Sequence, residues 1–244
     1  VAADFRLVSL SGGGMENAIP KEAKAVVSVR SCDATTFEQS IKESEAVWMQ
    51  EIRATEPYAK IELEKTDIAA DKVLDSKSTA NVIYALWLSP DGVYKMSQEI
   101  KGMVQTSLNL GTSYLDADKL VYKYLIRSNT AAGKKLLLER VTTFVNHLSG
   151  KVVTMSDYPA WEYKSDSQLR KICVDSFTNV YGHEPEVTSI HAGLEGGILA
   201  GKMPGVDMIS FGPTLESVHT PDECMDAASV ERTWEYLMEI LKSL

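Results

Sequence analysis

Alternating apolar and polar positions open the chain. Asp4-Phe5-Arg6-Leu7-Val8-Ser9-Leu10 predicts a strand, and Ser11-Gly12-Gly13-Gly14 a permissive loop running to Asn17-Ala18-Ile19-Pro20. A second strand is predicted over 23–29. From the cap residue Asp33, Phe37, Ile41, Val47 and Ile52 recur at near-helical spacing until Pro57 stops the helix, and 60–65 alternates again as a strand. Ser76 to Leu88 reads as a helix and Pro90-Asp91-Gly92 as a turn. Val104 to Leu110 and Leu120 to Arg127 form a predicted hairpin around Asp116-Ala117-Asp118. Lys134 to Leu148 is amphipathic, with Leu136, Leu137, Val141, Phe144, Val145 and Leu148 near one face and Gly150 closing it; a strand is predicted over 151–155.

After Tyr158-Pro159-Ala160-Trp161 the texture changes to helix and strand in alternation: helices over 168–181 and 194–200, strands over 186–190 and 206–211, and a last helix over 229–244. These patterns predict two parts. Residues 1–155 form an α+β part, an antiparallel sheet with helices on one face, and 156–244 form an α/β part of the sheet-and-crossover style. The boundary falls near 155–161.

Composition narrows the function classes. With 244 residues, 44% hydrophobic and 24% charged, the chain is ordinary globular protein. A net charge of -9, from 25 basic and 34 acidic residues without a basic run, disfavours nucleic-acid binding. Cys32, Cys173 and Cys224 are too scattered for a disulfide framework or a thiolate metal cage, so a reducing, cytoplasmic setting is expected. The apolar stretches are shorter than a membrane span, and neither membrane nor secretory character is expected. The chain starts at Val1 and runs at once into a strand pattern, which we read as the inside of a longer gene product.

Four candidates carry chemistry. His219, in Val218-His219-Thr220-Pro221-Asp222-Glu223, suits a divalent metal ligand or, alternatively, a loop imidazole bonded to backbone. His191-Ala192-Gly193-Leu194-Glu195-Gly196-Gly197 joins a predicted strand to a helix, either as a site where glycines admit a substrate or as a plain turn. Arg127 ends a strand and is placed either to clamp a carboxylate or to make a surface ion pair. Asn17 is a turn residue or an amide offered to substrate. No Gly-x-Ser-x-Gly elbow, phosphate loop, dinucleotide fingerprint, His-Glu-x-x-His, His-x-Asp or Glu-Glu pair occurs. His147 and His183 read as structural.

Taken in order, Ile190-His191-Ala192-Gly193-Leu194-Glu195, Asp207-Met208-Ile209-Ser210-Phe211-Gly212-Pro213-Thr214, Val218-His219-Thr220-Pro221-Asp222-Glu223 and Ala228-Ser229-Val230-Glu231-Arg232 resemble the aminoacyl-histidine dipeptidases, the Xaa-His dipeptidases of the M20 metallopeptidases. Asp4-Phe5-Arg6-Leu7, Gly12-Gly13 with Asn17-Ala18-Ile19-Pro20-Lys21-Glu22-Ala23, Thr106-Ser107-Leu108-Asn109-Leu110-Gly111 and Leu125-Ile126-Arg127-Ser128 resemble the same family upstream.

The resemblance implies a lid, or dimerisation-type, domain inserted into a catalytic domain that carries two zinc ions, and a homodimer. Residues 1–155 would be most of the lid and 156–244 the C-terminal part of the catalytic domain. His219 would be a zinc ligand, Arg127 the grip on the dipeptide's terminal carboxylate, Asn17 a lid residue reaching the substrate, and Glu195 with Gly193 the face toward its free amine. The reaction implied is attack of a metal-bound hydroxide on the peptide carbonyl. The general base and remaining ligands are expected before Val1, so no catalytic residue is assigned here and the chain alone is expected to be inactive. The rival reading is a non-catalytic substrate-binding or dimerisation module derived from such a peptidase. Three positions depart from the family pattern: Gly196 stands for Cys, Ser217 for Gly and Cys224 for Arg.

Overall fold

The computed structural model describes residues 3–66, 72–116, 118–189, 195–218 and 220–244. It is a mixed α/β structure built on an antiparallel sheet, as the patterning predicts. Strand β1 (Phe5–Gly12) pairs antiparallel with β2 (Ala23–Val29), Phe5 opposite Val29 and Gly12 opposite Ala23. A bulge between Leu7 and Ser9 interrupts this register. Leu7 lies there; Thr79 Oγ1 accepts from its N–H at 3.1 Å and its carbonyl accepts from Leu74 N at 2.9 Å. Both backbone groups of a buried residue are thus satisfied.

A single 3₁₀ turn precedes helix α1 (Ala34–Ile52). Asp33 stands at its N-cap, yet its carboxylate bonds the Arg30 guanidinium instead of a helical N–H. Helix α2 (Ser76–Leu88) is capped by Asp75, whose Oδ1 accepts from Ser78 N at 2.7 Å. Strands β3 (Gly92–Met96), β4 (Val104–Asp116) and β5 (Lys119–Ser128) follow, then helix α3 (Ala131–His147). The sheet order is β2-β1-β4-β3, with β5 also on β4. β3 was absent from the sequence prediction; Gly92, at φ 93°, turns the chain directly into it. Helices α4 (Gln168–Tyr181), α5 (Glu195–Lys202) and α6 (Ala227–Ser243) and a two-stranded ladder of β6 (Leu215–Glu216) and β7 (Cys224–Met225) complete the chain.

The chain divides into two compact units. One comprises 1–91, 109–125 and 144–150, the other 92–108, 126–143 and 151–244. In the first, Leu7, Thr79, Val82 and Ala85 are buried, and the Phe5 and Phe37 rings meet at 5.5 Å. In the second, Cys173, Tyr236 and Ile240 form a core joined by Leu169, Ile172, Phe177, Tyr181 and Ile209, which locks α4 onto α6. Tyr236 donates to the Cys173 carbonyl at 2.9 Å, and burial pushes both the phenol and the Cys173 thiol above their usual ranges.

Several predicted strands are not formed. Residues 60–65 run irregularly and exposed along α1, with Ile61 N donating to Glu45 Oε1 at 2.8 Å and Lys65 paired with Glu38. Residues 151–155, 186–189 and 206–211 are without strand structure too. Alternation describes which positions are apolar, but a strand exists only where another chain segment takes up its N–H and C=O groups, and these stretches pair with none among the described residues. In α3, Leu137 and Val141 are buried while Leu136 is 67% exposed, so the inner face is narrower than predicted. That helix ends with Ser149 at φ 60° and the Gly150 N–H on the Val145 carbonyl, so the left-handed closing residue is Ser149 rather than Gly150.

Candidate functional site

Asn17 lies exposed in the loop of residues 13–22 between β1 and β2. Two devices hold that loop. Gly13 N donates to the Glu22 carbonyl at 3.1 Å across its base, and the Asn109 amide, from β4, donates to the carbonyls of Glu16 (2.8 Å) and Ala18 (2.9 Å), one on either side of Asn17. Gly111 is required beneath it, because a Cβ there would come within 2.3 Å of the Met15 carbonyl oxygen. Asn109 had no role assigned from the sequence, although it sits in one of the motifs that carried the family resemblance.

Arg127 is half-buried near the end of β5, and it has a partner in the folded chain. The corner after it is a hydroxyl network. Ser128 Oγ lies 2.9 Å from Thr106 Oγ1, Thr130 N donates to Ser128 Oγ, and Gly133 N donates to Thr130 Oγ1 at 3.2 Å. A Cβ at Gly133 would strike Ser128 Oγ and Thr106 Oγ1, both at 2.6 Å, so the small residue lets α3 begin tight against the strand end. Asn129 N bonds the Gln105 carbonyl and fixes the same corner to β4.

The segment 157–162 ties that corner to α5. Glu162 Oε1 accepts from Ala131 N at 2.9 Å, and Lys134 Nζ bonds Asp157 Oδ1 and the Tyr158 carbonyl. On its other side, Pro159 and Trp161 lie on α5, whose Gly196, Gly197 and Gly201 make room: an added Cβ would meet the Trp161 ring at 2.5 Å, the Pro159 carbonyl oxygen at 2.5 Å and Pro159 Cγ at 2.7 Å. All three glycines lie in the end turns of this eight-residue helix, where the conformational cost of glycine is smaller than in a helix interior, and each leaves room for the segment seated on it. Glu195 opens α5. It lines an open cleft of about 350 Å³ with Trp161, Leu169, Leu199, Met208 and Ile209. Asp207, on the same cleft, is already engaged: it accepts from Leu169 N at 3.0 Å, and that bond and the Ser167 hydroxyl hold its carboxyl below the usual range. It accepts an N–H from the first turn of α4, whose N-cap is Ser167, and ties the irregular stretch 206–211, predicted as a strand, to that helix.

Gly193, His191 and His219 lie outside the described residues. The flanks of position 219 are well tied. Thr220 N and Oγ1 both donate to the Ser217 carbonyl, Asp222 N donates to Thr220 Oγ1, and Asp226 N closes the β6–β7 hairpin onto the Thr214 carbonyl at 3.0 Å. Asp226 then caps α6 through Ala228 N and pairs with Arg232; the Arg232 hydrogen bond is the main cause of its lowered carboxyl pKa. Ser217, where the family pattern has Gly, has φ 52°. Cys224 is exposed and stands opposite Glu216 in the ladder. Among the described residues no three His, Cys, Asp or Glu side chains converge, so they do not themselves compose a metal centre. Asn17 belongs to the first compact unit, Arg127 and Glu195 to the second. No helix among the described residues is long and apolar enough to cross a membrane.

The loop that carries Asn17, the corner after Arg127 and the glycine-seated helix headed by Glu195 all lie within a chain that known proteins resemble along nearly its whole length. The model of peptidase family M20/M25/M40 matches residues 11–243, and the chain belongs to that family. It is 30% identical over 242 residues to the cytosol non-specific dipeptidase of Escherichia coli (strain K12), covering 99% of this chain and 50% of that protein. Among solved structures it is similar to the aminoacylhistidine dipeptidase of Vibrio alginolyticus, with a TM-score of 0.89 and 30% identity over 99% of this chain and 49% of that one. The chain therefore spans about half the length of these relatives.

Proposed function

We propose that this chain is the lid (residues 1–155) and the closing part of the catalytic domain (156–244) of a zinc-dependent dipeptidase of the cytoplasm, acting on dipeptides of the Xaa-His type. The observation that supports it most is a TM-score of 0.89 to an aminoacylhistidine dipeptidase along 99% of the chain. In this reading Arg127 grips the terminal carboxylate of the dipeptide with two parallel hydrogen bonds, Asn17 reaches the substrate from the loop that Asn109 steadies, and Glu195 with the Gly193 backbone receives the free amine. A site with one anchor for each terminus admits substrates of one length, and dipeptides follow. His219 supplies one of the ligands for two zinc ions; the other ligands and the general base belong to the half of the relatives' length that this chain does not span. The metal contributes Lewis acidity toward water and the peptide carbonyl. The complete enzyme works as a homodimer.

Zinc calorimetry on the 244-residue chain and on the full-length protein, each with and without His219→Ala, tests this reading beside an assay of Xaa-His hydrolysis. The expected result is weak zinc binding and no turnover for the short chain, with stoichiometric zinc and turnover for the full-length protein that His219→Ala abolishes. Turnover by the short chain, or a full-length protein indifferent to His219→Ala, would overturn it.

A further inference from the structure

We infer that Trp161, seated on Gly196, is a specificity-determining residue: it forms the wall of a pocket that takes the aliphatic side chain of the dipeptide's first residue. The inference rests on the dipeptidase reading, in which Glu195 receives the free amine. The amine and the side chain of that residue branch from one carbon, so the side chain starts two bonds from the ammonium nitrogen that Glu195 holds and must lodge in the same cleft. The cleft that Glu195 lines is walled mainly by the apolar side chains of Trp161, Leu169, Leu199, Met208 and Ile209, with Asp207 and Ser210 beside them, and its roughly 350 Å³ lies at the small end of the range for small-molecule sites. Its second carboxylate, Asp207, is taken up by Leu169 N and Ser167, while no hydrogen bond or ion pair among the described residues engages Glu195. Charge therefore points an ammonium to Glu195.

The wall is seated close against the helix. The Trp161 ring would lie 2.5–2.8 Å from a Cβ at position 196, so any larger residue there must push it off α5. Pro159 is seated the same way on Gly197 and Gly201, and Glu162 binds the start of α3. The residue type at 196 thereby sets how far the indole reaches into the cleft, and glycine sets it deepest against the helix.

Steady-state kinetics of the full-length enzyme on Ala-His, Leu-His and Phe-His tests this with wild type, Trp161→Ala, Trp161→Phe, Gly196→Ala and the Trp161→Ala/Gly196→Ala pair. Trp161→Ala is expected to shift the kcat/KM ratio of Phe-His to Ala-His upward about tenfold, through KM with kcat within about twofold, and Trp161→Phe to restore most of the original preference. Gly196→Ala is expected to lower kcat/KM about tenfold in the wild-type background and less than about threefold once Trp161 is Ala. An unchanged preference in Trp161→Ala, or an equal cost of Gly196→Ala in both backgrounds, overturns the pocket while leaving the dipeptidase reading intact. A wild-type enzyme that hydrolyses none of the dipeptides overturns both.

Discussion

Ser217 holds a φ of 52°, a backbone conformation that costs an L-residue about 1–2 kcal/mol and glycine almost nothing. Its carbonyl takes two hydrogen bonds from Thr220 that any residue at 217 would keep. Set against the greater unfolded-state freedom of glycine, Ser217→Gly should stabilise the chain by about 0.5–1 kcal/mol, read as a higher urea midpoint at constant m. Asn109 works in the opposite sense. Asn109→Ala removes both bonds that straddle Asn17, so backbone amides of 15–18 should exchange faster by mass spectrometry, and, on the proposed role of Asn17, dipeptide hydrolysis by the full-length protein should show a raised KM with kcat little changed. Unaltered exchange would show that the loop stands without it. Both residues were visible in the sequence, Ser217 as a departure from the family pattern and Asn109 inside a quoted motif. Their roles were not, because one depends on a dihedral angle and the other on contacts across about ninety residues of chain.

Three helix-end carboxylates contribute to the chain's response to acid. Asp75 and Asp226 accept from the first turns of α2 and α6, and Asp207 from the first turn of α4. All three carboxyls are held below their usual value, Asp75 chiefly by the Ser78 N–H, Asp226 by Arg232 and Asp207 by the Leu169 N–H. A carboxyl whose folded pKa lies below its unfolded value of about 3.9 contributes stability that is complete above that value and is lost as pH falls through the folded one. Thermal midpoints should hold steady from neutral pH to about 5 and fall below about 4, and the Asp75→Asn/Asp207→Asn/Asp226→Asn variant should fall less steeply. Helices α1, α2, α4 and α6 were legible from periodicity within a few residues, since a helix satisfies its own backbone. No strand forms over 60–65, 151–155, 186–189 and 206–211, where the alternation predicted one, since a strand must borrow a partner.

At the scale of the whole chain, apolar surface remains uncovered. One side of α6 buries Tyr236 and Ile240, while Val230, Trp234, Met238 and Leu241 form an exposed stripe on another, Trp234 at 61%. In α2, Ile83, Tyr84, Trp87 and Leu88 are likewise exposed. Stripes of this kind mark contact surfaces. The 244-residue chain should therefore self-associate in sedimentation velocity, and Trp234→Glu with Leu241→Lys should reduce this at little cost to its thermal midpoint. In full-length protein the same pair should lower activity; a monodisperse wild-type short chain would count against the assignment. The sequence by itself determined the family, the helices and the hairpin of β4 and β5, because these rest on local periodicity and on motifs in a fixed order. Only the tertiary structure decided that Asn109 holds the Asn17 loop, that Asp207 serves a helix start, and that Trp161 sits on Gly196. Those are contacts between segments far apart in the chain, and their energies depend on distances of a few tenths of an ångström that no pattern of apolar and polar positions encodes.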